Sequence, residues 1–272
     1  MFSPKDVALT RKRIREKVPL IHNITNVVVT QITANMLLAL GASPAIVNAR
    51  EEVEEFVIKA NALVINLGTI THFQAESMKL AAKMADNHHI PWVMDPVGIG
   101  AISYRSHVAL DLLAYHPSVI RGNPSEIIGL NAMVHRHPLM GGRGVDSLAR
   151  SDEALLAAQS LAQYSQSIVS ISGKTDYVTD GKQVVAIHNG DAMMPYVTGL
   201  GCSATAITAA CLAVQQSKIA AAVHAMVLLG VAGERAAKQV KGPGSLCVAI
   251  LDELYQMDEA TLLHASKIEP IQ

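Results

Sequence analysis

Short β-branched and apolar runs recur along the chain and alternate with longer stretches whose apolar positions repeat at helical spacing. The runs are Ala45-Ile46-Val47, Leu63-Val64-Ile65-Asn66, Trp92-Val93-Met94-Asp95, Val119-Ile120 and Ile168-Val169-Ser170-Ile171-Ser172. Helical patterns fall over residues 30–40, 51–60, 74–86, 107–115 and 152–164. Strand-helix alternation of this kind predicts a mostly parallel sheet sandwiched between helices. The pattern changes at Tyr177-Val178-Thr179 and Val184-Val185, two β-rich pieces around Asp180-Gly181 that read as a hairpin and an antiparallel sheet edge. Beyond Cys202 the chain is alanine-rich and helical to about Met257, which predicts a closing layer of helices. A loop is expected over residues 132–144, and no internal repeat or linker divides the chain, so residues 1–272 read as one domain.

Composition narrows the picture. Half of the 272 residues are hydrophobic and 17% are charged, enough apolar material for a sheet covered on both faces. The 22 basic residues balance 23 acidic ones, and aromatics make up only 4%. Neither an electrostatic footprint nor a stacking platform for nucleic acid is present, which points to a small-molecule partner. Three cysteines, Cys202, Cys211 and Cys247, give neither a disulfide framework nor a zinc cage and suit a reducing compartment. The charged stretch up to Lys17 does not read as a signal peptide. The longest apolar run, residues 219–233, interrupted by His224, reads as a buried helix rather than a membrane span. A cytoplasmic protein is expected.

In open α/β sheets ligands collect at the carboxyl ends of the strands. Four polar segments stand after apolar runs there: His22-Asn23-Ile24-Thr25-Asn26, Asp95-Pro96-Val97-Gly98, Arg121-Gly122-Asn123-Pro124-Ser125-Glu126, and Thr198-Gly199-Leu200-Gly201-Cys202-Ser203. In the last, two glycines precede a strongly helical run, so backbone N–H groups at Gly199, Gly201 and Cys202 face out of a positive helix end, the makings of an anion hole. A tight loop entering a buried helix would give the same pattern. No Walker A sequence occurs. Asp95 and Glu126 offer hard oxygen ligands suited to Mg²⁺, although a turn aspartate and a capping-box glutamate are the plainer readings of each alone. Arg121 can pair with phosphate oxygens or simply be solvated. His88-His89 and His135-Arg136-His137 read as surface histidines, and Met193-Met194 as packing.

Taken in order, His22-Asn23-Ile24-Thr25-Asn26, Ala34-Asn35, Gly41-Ala42-Ser43-Pro44, Asn66-Leu67-Gly68-Thr69, Asp95-Pro96-Val97-Gly98, Gly122-Asn123 with Glu126, Gly144-Val145-Asp146-Ser147, Asp176-Tyr177-Val178-Thr179-Asp180-Gly181 and Gly199-Leu200-Gly201-Cys202 form a nearly end-to-end match. On these motifs the chain resembles the hydroxyethylthiazole kinases of the ribokinase-like superfamily. The resemblance implies a three-layer α/β/α sandwich. It also implies ATP-dependent phosphorylation of the hydroxyl of 4-methyl-5-(2-hydroxyethyl)thiazole for thiamine phosphate synthesis, with Mg²⁺ as cofactor, and a homotrimer with active sites between subunits. Carried over by position, Asn23, Ile46 and Gly199 contact the thiazole, Arg121 and Ser172 contact ATP, and Asp95 and Glu126 organise Mg²⁺. Cys202 takes the place where similar enzymes carry an aspartate base. Ile46 stands where the family typically has methionine, and Ser172-Gly173 where Thr-Gly is more usual. A pyrimidine-directed kinase of the same pathway and a thiazole- or nucleotide-binding protein without turnover are the competing expectations. An ATP- or ADP-dependent dehydratase of related fold is disfavoured by Cys202, because it would retain aspartate there.

Overall fold

A computed structural model describes residues 1–136 and 154–271. The chain begins with α1 (Pro4–Lys17), β1 (Leu20–Ile24), α2 (Thr30–Leu40), β2 (Ser43–Ile46), α3 (Val53–Val57), β3 (Ala62–Asn66) and α4 (His72–Asn87). It continues through β4 (Trp92–Asp95), α5 (Ser103–Leu113), β5 (Val119–Gly122), α6 (Pro124–Val134), α7 (Leu155–Ser165), β6 (Ile168–Ile171), β7 (Asp176–Thr179) and β8 (Val184–Ile187). The last part is α8 (Leu200–Leu212), α9 (Lys218–Ala237), α10 (Pro243–Gln256), α11 (Glu259–Ala265) and β9 (Ile268–Pro270).

The nine strands form one sheet in the order β2-β1-β3-β4-β5-β6-β7-β8-β9. Pairings from β2 across to β6 are parallel, and those from β6 to β9 are antiparallel. Every residue of β3, β4 and β5 is buried, as expected of parallel strands covered on both faces. Alternate residues feed two cores. Ile21, Val64, Val93 and Val119 pack against α1, α2 and α8 to α11, while Ile24, Leu63, Ile65, Met94 and Ile120 pack against α3 to α7. This is the expected three-layer α/β/α sandwich with a mostly parallel centre.

Local chemistry sets the helix starts. Ser3 with Asp6, Thr71 with Gln74 and Asn123 with Glu126 each form a reciprocal capping box at the heads of α1, α4 and α6. Helix α2 stops at Gly41, whose φ of 106° lies in the left-handed region and whose missing side chain leaves room for Arg15. Helix α1 packs within its own layer onto α9 and α11, and Thr10 Oγ1 lies 2.8 Å from His224 Nδ1 between α1 and α9.

Several expectations are corrected. His22, Asn23 and Ile24 lie inside β1 rather than after it, because β1 carries its polar residues buried between two neighbouring strands. The helix expected over residues 51–60 shrinks to α3, which lacks a side-chain cap and crowds Glu51, Glu52, Glu54 and Glu55 at its start. Residues 132–134 of the expected loop belong to α6; those from 137 onward lie outside the described residues, as do Gly144-Val145-Asp146-Ser147, His137 and the first positions of the helix expected over 152–164. The hairpin forms as expected, yet the sheet does not end there, since the chain returns after α11 to add β9 along β8. The apolar run at 219–233 extends into a 20-residue helix, α9, long and apolar enough to cross a membrane but with 89% of its most apolar window buried inside the fold.

Candidate active site

Strand β1 has β2 on one side and β3 on the other, so the chain's direction of travel across the sheet reverses there, the place where open sheets leave a crevice. Helix α8 crosses behind this point, packing on β1, β3 and β4. Its N-cap is Gly199, with φ 89°; a Cβ there would stand 2.9 Å from Ile32 Cγ2 and 3.0 Å from Val29 Cγ1. Only glycine makes this entry without strain. No side chain caps α8, and the N–H groups of Leu200, Gly201 and Cys202 meet no acceptor among the described residues. The helix end on which an anion hole is expected thus carries unpaired donors, with Gly199 as its N-cap.

Three charged side chains converge on it. Arg121, from β5, is 6% exposed, and its Nη1 stands 2.9 Å from where a Cβ on Gly201 would be. The Arg121 Nε is buried with no hydrogen-bond partner, a costly unsatisfied donor. Asp95 ends β4 and accepts from Asn66 Nδ2 at 2.7 Å and from Thr205 Oγ1 at 2.8 Å, both on Oδ2. Burial raises the Asp95 carboxyl above the ordinary range, opposed by the charge of Arg121 and by these two hydrogen bonds. Asp95 is thus no helix cap. Glu126 does form the expected capping box with Asn123, but its other oxygen accepts from Gly98 N at 3.0 Å, so it ties the Asp95-Pro96-Val97-Gly98 turn to α6. Burial, and then the nearby charge of Asp95, push Glu126 up to about 7.

Two buried carboxylates this close repel, and a dication completed by phosphate oxygens and water would relieve both. Among the described residues no three His, Cys, Asp or Glu side chains gather into a metal cage. A Mg²⁺ ion held by Asp95 and Glu126 alone, with the nucleotide supplying the rest, fits this donor set.

Cys202, in the first turn of α8, accepts from Asn26 Nδ2 at 3.5 Å. Burial and the charge of Asp95 push its thiol up to about 12. Ser172 follows β6 and donates its N–H to Gly122 O at 3.1 Å, which holds its backbone beside the end of β5. Asn23 and Ile46 are partners in the β1–β2 register, so the two expected pocket residues do stand side by side. Strand β3 lies between Asn23 and the Asp95 strand, with Ile46 one strand further out, and the Asn23 amide bonds only to Ile21 O and Ala45 O, leaving Oδ1 unpaired.

Sequence reasoning singled out no role for Asn26, Asn66, Thr205 or Asp176. Asn66 carried a usable signal, since it closes an apolar strand run as Asp95 does. Asp176 is buried at the start of β7, accepts from Gly173 N at 2.8 Å, and is pushed up to about 7 by burial. It orders the turn after Ser172.

The sequence model of the hydroxyethylthiazole kinase family matches residues 11–260. A hydroxyethylthiazole kinase from Granulibacter bethesdensis is 50% identical over 254 residues, 93% of this chain and 91% of that protein. One from Tolumonas auensis is 45% identical, covering 95% and 96%. The solved structure of hydroxyethylthiazole kinase protein from Pyrococcus horikoshii superimposes with a TM-score of 0.90 at 37% identity, covering 98% of this chain and 99% of that one. Pyridoxal kinase from Staphylococcus aureus, with AMP-PCP and pyridoxal, shares the fold alone, at a TM-score of 0.58 and 17% identity over 80% and 88%. With a family match spanning most of its length and an uncapped helix head set over Asp95, Arg121 and Glu126, the chain belongs to the hydroxyethylthiazole kinase family.

Proposed function

We propose that this chain transfers the γ-phosphoryl group of ATP to the hydroxyl of 4-methyl-5-(2-hydroxyethyl)thiazole, giving the phosphate ester used for thiamine phosphate. The observation that carries this reading is the uncapped head of α8 with the Arg121 guanidinium against Gly201.

Phosphoryl transfer to an alcohol passes through a loose transition state, so it depends on in-line placement and on neutralising charge on the moving group. The N–H groups of Leu200, Gly201 and Cys202 take part of that charge, and Arg121 takes more from the side. The Ser172 hydroxyl and the turn ordered by Asp176 border the nucleotide. Asp95 and Glu126 are the residues that would hold Mg²⁺, which supplies positive charge to the phosphate oxygens when bound. A thiol held near 12 stays protonated at neutral pH, so Cys202 orients the alcohol rather than taking its proton. Asn23 and Ile46 form a wall for the thiazole ring, with Gly199 at its base.

The reading extends to a cytoplasmic homotrimer whose active sites lie between subunits. Val27 and Val28, 69% and 62% exposed on the loop that carries Asn26, support a covered position for that loop. Light scattering gives the assembly state.

The deciding experiment measures ADP release with the thiazole alcohol, with hydroxymethylpyrimidine and with a sugar panel, each with and without Mg²⁺. Turnover selective for the thiazole and dependent on Mg²⁺ is expected. Selective turnover of the pyrimidine would replace the substrate, and no turnover with any alcohol would overturn the kinase reading.

A further inference from the structure

Asn66 and Asp95 are the last residues of β3 and β4 and are direct partners in the parallel register. Asn66 is fully buried and its amide is engaged at both ends: Nδ2 donates to Asp95 Oδ2 at 2.7 Å, while Oδ1 accepts from Gly68 N at 2.9 Å and Asn26 Nδ2 at 2.8 Å. Asn26 is 5% exposed, its Oδ1 accepting from Val28 N at 3.1 Å and its Nδ2 reaching Cys202 Sγ at 3.5 Å. A backbone N–H can only donate, so Gly68 and Val28 fix which end of each amide is oxygen. Neither amide can turn over without burying two like groups face to face.

The direction of the chain of hydrogen bonds follows. One N–H of Asn26 goes to Asn66 and the other to the sulfur, so Sγ is an acceptor here. The thiol's own proton is left to point elsewhere. Space for this arrangement is reserved, since a Cβ on Gly68 would stand 2.8 Å from Asn26 Nδ2 and 2.9 Å from its Cβ.

We infer that Asn26 and Asn66 are positioning residues that clamp the Cys202 sulfur as acceptor, so that its S–H donates toward the alcohol oxygen of the phosphoryl acceptor. The same two amides couple the thiol to Asp95, so that the carboxylate and the thiol keep a fixed spacing across the crevice. This rests on the kinase reading for the identity of the alcohol, but the clamp itself is a property of the apo protein.

Two measurements test it separately. Infrared difference spectra locate the Cys202 S–H stretch as the band lost in Cys202→Ala. Asn26→Ala, which removes the donor, is expected to shift that band, while the bands of Cys211 and Cys247 stay in place. An unshifted Cys202 band overturns the clamp whether or not the protein turns over any alcohol. The second measurement is a double-mutant cycle on kcat for the thiazole alcohol. Asn26→Ala is expected to lower kcat about tenfold with KM for ATP unchanged, and to have no further effect in Cys202→Ala. Losses that multiply would show that Asn26 acts without the thiol and would overturn the inference. If Asn26→Ala does not fold, Asn26→Ser keeps an oxygen for Val28 N–H, removes the donor to sulfur, and is read in the same two ways. A parent inactive on every alcohol while the band still shifts would remove the kinase reading and leave the clamp standing.

Discussion

Nη1 of Arg121 lies 2.9 Å from the position that a Cβ would take on Gly201, so the guanidinium occupies the space this glycine leaves open at the head of α8. Strand β5 and helix α8 thereby present their donors to one point, although 80 positions separate the two residues in sequence. A phosphate at that point meets helix N–H groups from one side and a planar fork from another.

Gly201→Ala tests that contact. Alanine favours the helix, so α8 itself should not weaken. The added methyl displaces Arg121, and kcat/KM for ATP is expected to fall by about a hundredfold, the lower end of what losing an aligned donor costs. Steady-state kinetics beside a thermal melt give the answer; an unaltered kcat/KM would detach Arg121 from the phosphate.

The thiol of Cys202 should leave no mark on the pH profile. Because burial and the Asp95 charge raise it to about 12, it stays protonated from neutral pH well into the alkaline range. Cys202→Ala is expected to lower kcat more than it raises KM, with the shape of kcat against pH from 7 to 9 the same as the parent's. An alkaline limb present in the parent and absent in the variant would make the thiol a base after all.

Glu126→Gln should raise the Mg²⁺ concentration needed for half-maximal rate, since it removes one of the two charges that would hold the ion. Its hydrogen bonds to Gly98 and Asn123 can be kept in part by the amide oxygen, so the fold should survive. Superimposable Mg²⁺ titrations of variant and parent would take Glu126 out of the metal site.

His224 sets a pH dependence of stability that is independent of the active site. Burial holds its pKa down to about 4 from the ordinary 6.5, against the hydrogen bond to Met1 O, which raises it. The unfolded chain therefore binds the extra proton first, and this contribution to stability, complete above pH 6.5, is lost as pH falls toward 4. His224→Gln removes that dependence. The stability gap between parent and variant, from urea unfolding, should shrink by about 2 kcal/mol between pH 7 and pH 5. A gap of constant size would mean that His224 is not held neutral.

Much of this site was legible in the residues themselves. A GxG before an alanine-rich run marks a helix head whatever surrounds it, and Asp95 and Arg121 each end an apolar strand run where ligands gather. What stayed hidden depends on register. That Asn66 faces Asp95 follows from how β3 slides along β4, and that Thr205 reaches the same oxygen follows from where α8 crosses the sheet. Residues 22–24 misled for a related reason: a strand buried on both sides can seat polar side chains against its neighbours' backbone, as Asn23 does against Ala45. Strand β9 is only three residues long, with Glu269 and Pro270 exposed, too short to announce itself by alternation.

Helix α1 precedes its packing partners α9 and α11 by some 200 positions, so it is made well before them. On the ribosome that helix has only α2 and the first strands to rest against while the parallel sheet is assembling, and part of its apolar stripe, with Val7 and Ile14, stays wet until α9 and α11 emerge. Closure of that face is therefore a late event in the life of each new chain, and it is there that a chaperone would find the nascent protein sticky.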